Sequence, residues 1–208
     1  MRYGERFHAK RLGRADKYKI MAEASLAAYR SIRGNVVPAA AVDVGCSIGG
    51  LLAALGKLAG DTVDLAGIDH NLPGSADTRM QYSGAYADID LNMGDAAMDA
   101  RMALGSFDLI ISQEVLEHIE PENTGKALEV FNALAGGKPA VLVFGAAALG
   151  QPGTHHVNCR PMADWERLLA EKGWTVDRPA TAVYRDILGR GGISGCYYDN
   201  TQIYTRRP

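Results

Sequence analysis

Ala39-Ala40-Ala41-Val42-Asp43-Val44-Gly45-Cys46-Ser47-Ile48-Gly49-Gly50-Leu51 is the stretch that decides the fold of this chain. Residues 39–44 are almost entirely apolar, which predicts a parallel strand that is buried on both faces. The glycines that follow predict a sharp turn that a ligand can approach closely. A helix begins directly after the turn and presents free backbone N–H groups at its positive end. Together these elements indicate a binding corner of the nucleotide type, although glycine turns also close ordinary strand–helix connections.

The composition is that of an ordinary soluble globular protein: 208 residues, 47% hydrophobic and 22% charged. We expect a single domain over residues 1–208. The net charge of −2 argues against a nucleic-acid partner, and no apolar run approaches the roughly 20 residues of a membrane span. Cys46, Cys159 and Cys196 lie far apart in the sequence, which favours reduced thiols in the cytoplasm.

Residues 1–34 are predicted to form a basic arm followed by a helix from Asp16 to about Ile32. Two interpretations of the arm stay open. Its charges could form a solvated face, or the segment could act as a lid whose Tyr3, His8 or basic residues contact a cofactor carboxylate or an anionic substrate. Tyr3 and Arg14 are therefore candidate substrate-binding residues.

A second buried strand, residues 62–68, ends at Asp69, which lies 24 residues beyond Gly45. An acidic residue at this point can accept hydrogen bonds from a ribose diol, because a carboxylate offers two acceptor oxygens. The alternative is a strand-end acid that caps the next turn. A third strand is predicted over residues 83–89, and Asp90 follows it, with Asp88 and Asp95 as rivals for an adenine contact.

Strands and helices continue to alternate to the end of the chain. We predict a strand at 107–112, a helix at 122–135, a strand at 140–144, a helix at 162–172, and strands at 174–184 and 196–205. This alternation predicts a parallel sheet with helices on both faces. Gln113 and Glu114 end the fourth strand, where open α/β sheets bind ligands. The long connection at 145–161 carries His155 and His156 and is expected to be functional.

The motifs, in this order, resemble those of the class I S-adenosylmethionine-dependent methyltransferases, over nearly the whole chain. The matching motifs are Val42-Asp43-Val44-Gly45-Cys46-Ser47-Ile48-Gly49, the strand-end Asp69, and Phe107-Asp108-Leu109-Ile110 through Glu114-Val115-Leu116-Glu117-His118. The resemblance implies a three-layer α-β-α Rossmann-like fold. Its seven-stranded sheet is mostly parallel, with the last strand antiparallel and beside the sixth. Ser47 departs from the pattern, because the family usually has its second glycine there.

The resemblance also implies S-adenosylmethionine as cofactor and S-adenosylhomocysteine as product. The turn would contact the methionine part, and the acids at the strand ends would contact the ribose and the adenine. Gln113 would lie near the sulfonium. The candidate cofactor-binding residues are Asp43, Gly45, Ser47, Gly49, Asp69, His70, Asp90, Leu91 and Gln113.

His155 and His156 are the candidates for a catalytic base, because histidine exchanges protons near neutral pH and this loop should overhang the crevice. Alternatively, one histidine packs the loop and the other binds substrate, and an amine acceptor would need less help. Glu114 and Tyr197 are further candidates for substrate binding.

The spacing Glu114-x-x-Glu117-His118 could also hold a divalent cation, with His156 as a fourth ligand. The spacing resembles the metal-binding pattern of some O-methyltransferases. Many metal-free members of the superfamily also carry a Glu-His pair here, where it braces the helix. We therefore expect no metal, with these four residues as the alternative.

The predicted function is methyl transfer to an oxygen, less readily a nitrogen, of a polar small molecule such as a sugar, an acidic metabolite or a natural-product intermediate. The polar residues around the expected acceptor pocket favour such a molecule over a lipid. Three alternatives stay open: an RNA or nucleotide methyltransferase, a non-catalytic partner protein with this fold, and a nicotinamide-dependent oxidoreductase. Ser47 argues against the last, because it breaks the G-x-G pattern of that class.

Overall fold

A computed structural model describes residues 13–60, 62–70 and 80–206. In these ranges the strands are β1 (Ala40–Val44), β2 (Asp64–Asp69), β3 (Ala85–Asp88), β4 (Leu109–Gln113), β5 (Ala140–Gly145), β6 (Thr175–Val176) and β7 (Thr201–Arg206). The α-helices are α1 (Ala15–Arg33), α2 (Gly50–Ala59), α3 (Ala96–Leu104), α4 (Thr124–Ala135), α5 (Met162–Glu171), α6 (Arg178–Arg190) and α7 (Cys196–Asp199). Two 3-10 turns, Leu116–His118 and Pro121–Asn123, connect β4 to α4. None of the described helices has both the length and the apolar character that a membrane span requires.

The strands form one seven-stranded sheet in the order β3-β2-β1-β4-β5-β7-β6. The neighbours from β3 to β5 pair in parallel, whereas β7 lies antiparallel between β5 and β6. This topology confirms the predicted Rossmann-like fold with an antiparallel last strand. The strand order reverses between β1 and β4, and such a reversal opens a crevice at the carboxyl ends of the strands.

Two hydrophobic cores cover the two faces of the sheet. Along β1, Val42 and Val44 belong to one core while Ala41 belongs to the other, and β4 alternates in the same way. The first core contains residues of α3, α4 and α5, and the second contains residues of α1, α2 and α6. Burial on both faces explains why the central strands are continuously apolar in sequence.

The last third of the chain departs from the predicted elements. The strand expected over 174–184 is wrong: β6 ends at Val176, and α6 begins at Arg178. The carboxylate of Asp177 caps α6 by accepting a hydrogen bond from the Ala180 N–H, and Pro179 stands in the first turn, where a missing N–H costs nothing. The predicted start of the last strand at residue 196 is also wrong, because the short helix α7 occupies residues 196–199 and β7 begins only at Thr201.

Asp108, directly before β4, fastens the first helix to the sheet. Its carboxylate accepts hydrogen bonds from the Tyr29 hydroxyl at 2.6 Å and from the backbone N–H groups of Ala39 and Ala40 at 3.1 and 2.9 Å. Burial of the ring, and then the bond to Asp108, raise the pKa of Tyr29 to about 12. The acid thus fixes the entry of β1 and the position of α1 together.

We expect Asp108→Ala to lower the free energy of unfolding by about 1–3 kcal/mol, because three donors lose a charged acceptor. Urea unfolding measures the change. Asp64→Ala is the matched control, since Asp64 is an exposed acid at the start of β2, and it should change stability by less than about 0.5 kcal/mol. Equal stability of the two variants would contradict this account of Asp108.

Candidate active site

A cavity of about 550 Å³ opens at the carboxyl ends of β1, β2, β3 and β4. Its size lies within the range of small-molecule sites. The residues that line it are Gly45, Ser47, Ile68, Asp69, His70, Ile89, Asp90, Leu91, Asn92, Glu114, Val115, His118, Ile119, Glu120, His155 and Val157. Nine of the candidate residues from the sequence are among them: Gly45, Ser47, Asp69, His70, Asp90, Leu91, Glu114, His155 and the alternative metal ligand His118.

The turn after β1 is bonded to the end of β2 through its backbone. The N–H groups of Gly45 and Cys46 both donate to the carbonyl of Ile68, at 2.7 and 3.0 Å. Gly45 has φ +87°, and a Cβ there would lie 2.2 Å from Cγ2 of Val115. Both the backbone conformation and the close approach of Val115 therefore require glycine at this position.

Ser47 and Asp69 are linked directly in this turn. The backbone N–H of Ser47 donates to Oδ2 of Asp69 at 2.6 Å, and the N–H of His70 donates to Oδ1 at 2.7 Å. Each carboxylate oxygen can accept more than one hydrogen bond, so Asp69 keeps acceptor capacity for a ligand in the cavity. Asp43 lies buried within β1, and Gly49 precedes α2; neither lines the cavity.

His70 bridges the ends of β2 and β3. Its Nδ1 lies 2.9 Å from Oδ1 of Asp88, and its Nε2 lies 3.6 Å from Oδ2 of Asp90. Asp90 also accepts a hydrogen bond from the backbone N–H of Asn92 at 2.9 Å. Of these two candidates for the adenine contact, the structure favours Asp90, because Asp90 lines the cavity and Asp88 does not.

Gln113 is turned away from the position expected for it. Its Nε2 donates to the hydroxyl of Tyr184 at 2.8 Å and to Oγ1 of Thr201 at 2.9 Å. Tyr184 is fully buried, which raises the pKa of its phenol. Gln113 therefore connects β4 with α6 and β7, and it is not among the residues that line the cavity.

Three residues other than glycine have positive φ in the described chain: Ser47 at 51°, Glu114 at 58° and His155 at 56°. All three line the cavity. Such conformations cost free energy and concentrate at functional sites, where the surrounding structure imposes them. Glu114 is held by its N–H, which donates to the carbonyl of Gly145 at 2.8 Å.

The two adjacent histidines occupy different environments. His155 is exposed and lines the cavity. His156 is not among the lining residues: its Nδ1 lies 3.1 Å from the carbonyl oxygen of Gln151, and its Nε2 lies 3.9 Å from Oε1 of Glu117. The pair is thus split, with one ring at the cavity and the other directed into the protein.

Glu117 is a fully buried acid directly behind the cavity wall. Burial, reinforced by the negative charge of Glu114, raises the pKa of Glu117 to about 8. The nearby N–H groups of Glu117 itself and of Ala147 oppose this shift, but neither carboxylate oxygen has a hydrogen-bond partner within the described ranges.

Arg14 and Tyr197, two further candidates for substrate binding, are not among the residues that line the cavity. Arg14 is exposed just before α1, and the ring of Tyr197 in α7 lies under the ammonium of Lys17, which is 3.6 Å from the ring centroid. Tyr3 lies outside the described residues. The cavity wall also contains residues that were not predicted from the sequence: Asn92, Val115, Ile119, Glu120 and Val157. The sequence contains one indication of this wall: the segment Val115-Leu116-Glu117-His118-Ile119 directly follows the end of a predicted strand.

Residues 41–136 match a family described as a methyltransferase domain. This region begins in β1 and ends just after α4, so it contains the turn, Asp69 and Glu114. A search of curated proteins gave no significant match.

Several solved structures share the fold at low sequence identity. The plantazolicin methyltransferase BamL, in complex with a triazolic desmethylPZN analog and S-adenosylhomocysteine, has a TM-score of 0.61 and 12% identity, over 96% of this chain and 87% of that chain. An O-methyltransferase family protein from Burkholderia thailandensis has a TM-score of 0.57 and 12% identity, over 92% and 55%. A Haemonchus contortus N-methyltransferase, in complex with phosphomonomethylethanolamine and S-adenosylhomocysteine, has a TM-score of 0.52 and 15% identity, over 89% and 52%.

We expect Gly45→Ala to destabilise the protein by about 2 kcal/mol or more, from the positive φ and from the contact with Val115. Gly60→Ala is the matched control, because Gly60 has φ +89° but no atom within 4 Å of its added Cβ. Urea unfolding of both variants separates the cost of the conformation from the cost of the contact. If Gly60→Ala were as damaging as Gly45→Ala, the close approach of Val115 would have no energetic role.

Proposed function

We propose that this chain is a class I S-adenosylmethionine-dependent methyltransferase that transfers a methyl group to an oxygen of a polar small molecule. The observation that carries the proposal is the division of one cavity into two chemically different ends. One end is formed by the turn after β1 and the acids that follow β2 and β3. The other end carries Glu114, His118, Glu120 and His155, and is rich in groups that bind and exchange protons.

The first end fits the cofactor. The turn at Gly45 and Ser47 leaves room for the methionine part, and Asp69 can accept from the ribose hydroxyls. Asp90 and the buried side chains of Ile89 and Leu91 suit the polar edge and the flat face of an adenine. When bound, S-adenosylmethionine supplies a methyl group on a sulfonium, whose sulfur leaves as a neutral thioether.

The second end suits an acceptor that carries hydroxyl groups. A hydroxyl must lose its proton when its oxygen bonds to the methyl carbon, so a base at this end assists the reaction. We assign this role to His155, because it lines the cavity. Both ring nitrogens of His156 are directed at protein atoms, the carbonyl of Gln151 and the carboxylate of Glu117. His156 is therefore a poorer candidate for the base.

The charged groups at this end of the cavity favour a polar acceptor. One of them, Glu114, is held in place by a hydrogen bond, because its Oε2 accepts from the side-chain amide of Gln151. The names of the similar solved proteins cover both O- and N-methylation. The choice of oxygen therefore rests on His155, since an amine acceptor needs less assistance from a base. The cytoplasmic location and the lid formed by residues 1–34 stay predictions.

We expect Asp69→Asn to weaken the binding of S-adenosylhomocysteine by about 1–3 kcal/mol, roughly 5- to 150-fold in Kd, because a charge-assisted hydrogen bond to the ribose is lost. Isothermal titration calorimetry measures the change. Asp64→Asn makes the same substitution at the opposite end of β2 and should leave Kd unchanged. An unaltered Kd in Asp69→Asn would remove this acid from the cofactor site.

We expect the full chain to release S-adenosylhomocysteine when supplied with S-adenosylmethionine and polar hydroxyl compounds, such as monosaccharides, hydroxy acids and catechols. With such an acceptor, His155→Asn should lower kcat by about 100-fold or more. Asparagine tolerates the positive φ of this position, so the loop should keep its shape.

Two results would contradict the proposal. Turnover with primary amines or RNA, and none with the hydroxyl compounds, would overturn the acceptor class. A normal kcat in His155→Asn would overturn the assignment of the base, while the acceptor class would stand on its own result.

A further inference from the structure

Glu117, His118 and His156 bring three potential metal ligands together behind the cavity wall. Their ligand atoms all lie within 4.8 Å of one another. Oε1 of Glu117 is 3.8 Å from Nε2 of His118 and 3.9 Å from Nε2 of His156. A cation with bonds of about 2.1 Å and tetrahedral angles holds its ligands about 3.4 Å apart. The two distances from Glu117 to the histidine nitrogens therefore need to shorten by only about 0.5 Å to match such a site.

The carboxylate of Glu117 points to a missing ligand. Its side chain is 0% exposed, and neither of its oxygens has a hydrogen-bond partner among the described residues. Burying an acid without a partner is costly, and proteins relieve the cost by pairing the charge or by coordinating a metal. The carboxylate of Glu114 places a negative charge nearby. A cation is the ligand that this arrangement lacks.

Both histidines are oriented as metal ligands are. Nδ1 of His118 lies 3.0 Å from the carbonyl oxygen of His155, and Nδ1 of His156 lies 3.1 Å from that of Gln151. A carbonyl only accepts, so Nδ1 carries the proton and a neutral ring has its lone pair on Nε2. Metal-binding histidines usually donate their other N–H to such a group. In both rings, Nε2 is the nitrogen that faces Glu117.

The backbone holds this arrangement in place. The N–H groups of Val157 and Asn158 both donate to the carbonyl of Glu117 at 3.0 Å, which fastens the histidine loop to the turn after β4. Gly153 packs against the His156 ring so closely that a Cβ would lie 2.0 Å from Nε2. Main-chain contacts therefore hold His156 close to Glu117, and His118 is the next residue in the sequence.

From these contacts we propose that Glu117, His118 and His156 bind a divalent transition-metal ion through one carboxylate oxygen and two imidazole nitrogens. This ligand set suits Zn²⁺, Mn²⁺, Fe²⁺ or Co²⁺ better than Mg²⁺ or Ca²⁺, which prefer oxygen ligands. The sequence alone favoured a site without metal. Of the four alternative ligands that the sequence offered, Glu114 is not part of the cluster.

The position of the site gives the ion a role in the reaction, and this role rests on the proposed function. His118 belongs both to the cluster and to the cavity lining, so the ion lies at the wall of the acceptor end. A cation that binds the acceptor oxygen lowers the pKa of its hydroxyl and fixes its position. The proton then passes to His155 as the oxygen bonds to the methyl carbon and the carbon–sulfur bond breaks.

The test is a Co²⁺ titration of the chelator-stripped full chain, followed by visible absorption. We expect one Co²⁺ per chain, with the intense bands of four- or five-coordinate cobalt, and displacement of the ion by Zn²⁺. Glu117→Gln preserves the size of the side chain and should weaken binding by about 100-fold or more. Gly153→Ala changes no ligand but displaces the His156 ring, and should weaken binding by about 10-fold or more.

His155→Asn is the matched control, because it removes the neighbouring histidine and keeps the carbonyl that accepts from His118. It should bind Co²⁺ as the wild type does. If Glu117→Gln fails to fold, His156→Gln takes its place. The proposal is overturned if the wild type binds no Co²⁺. It is also overturned if binding survives unchanged in the Glu117 and His156 variants, as it would for an ion bound by His70, Asp88 and Asp90.

Binding of S-adenosylhomocysteine, measured on the same samples by calorimetry, separates this inference from the proposed function. Cofactor binding without Co²⁺ binding would overturn the metal site and leave the methyltransferase proposal standing. Co²⁺ binding without cofactor binding would support the metal site and overturn the function assigned to the cavity.

Discussion

The backbone bonds between the turn after β1 and the end of β2 are the constraint on which the rest of the site depends. Ile68 accepts from two successive N–H groups of the turn, and Asp69 accepts from a third, that of Ser47. These bonds fix the acid at the mouth of the crevice before any ligand arrives. They also explain why a serine is accommodated at a glycine-like φ, because its N–H has a charged partner.

The opposite end of the cavity depends on a second turn, at Glu114. Its positive φ ends β4 and redirects the chain into the 3-10 turn at Leu116–His118. That turn buries Glu117 and places His118 in the cavity wall. Residues 153–158 then bring His156 next to Glu117 and His155 to the cavity. Two neighbouring histidines thereby take separate tasks, proton transfer for one and metal binding for the other in the functions proposed above.

The sequence predicts the parts of this molecule that local patterns determine. The apolar run before Gly45 and the acid at Asp69 have fixed relations to a turn, so both were located correctly. Residues 174–184 were not, because their aromatic and β-branched residues resemble a strand while the decisive cap, Asp177, is a single side chain. The direction of the Gln113 side chain depends on Tyr184, and the surroundings of the buried Glu117 depend on His156. Both partners are distant in the sequence. No local pattern contains that information.

Thermal unfolding of the full chain, with S-adenosylhomocysteine and NAD compared at equal concentration, tests the central claim most directly. The cavity described above should bind the first ligand, which at 100 times its Kd stabilises the fold by about 2.7 kcal/mol. For a domain of this size that raises Tm by several degrees. An increase with S-adenosylhomocysteine alone is the predicted result. An increase with NAD alone, or with neither ligand at millimolar concentration, would contradict the account.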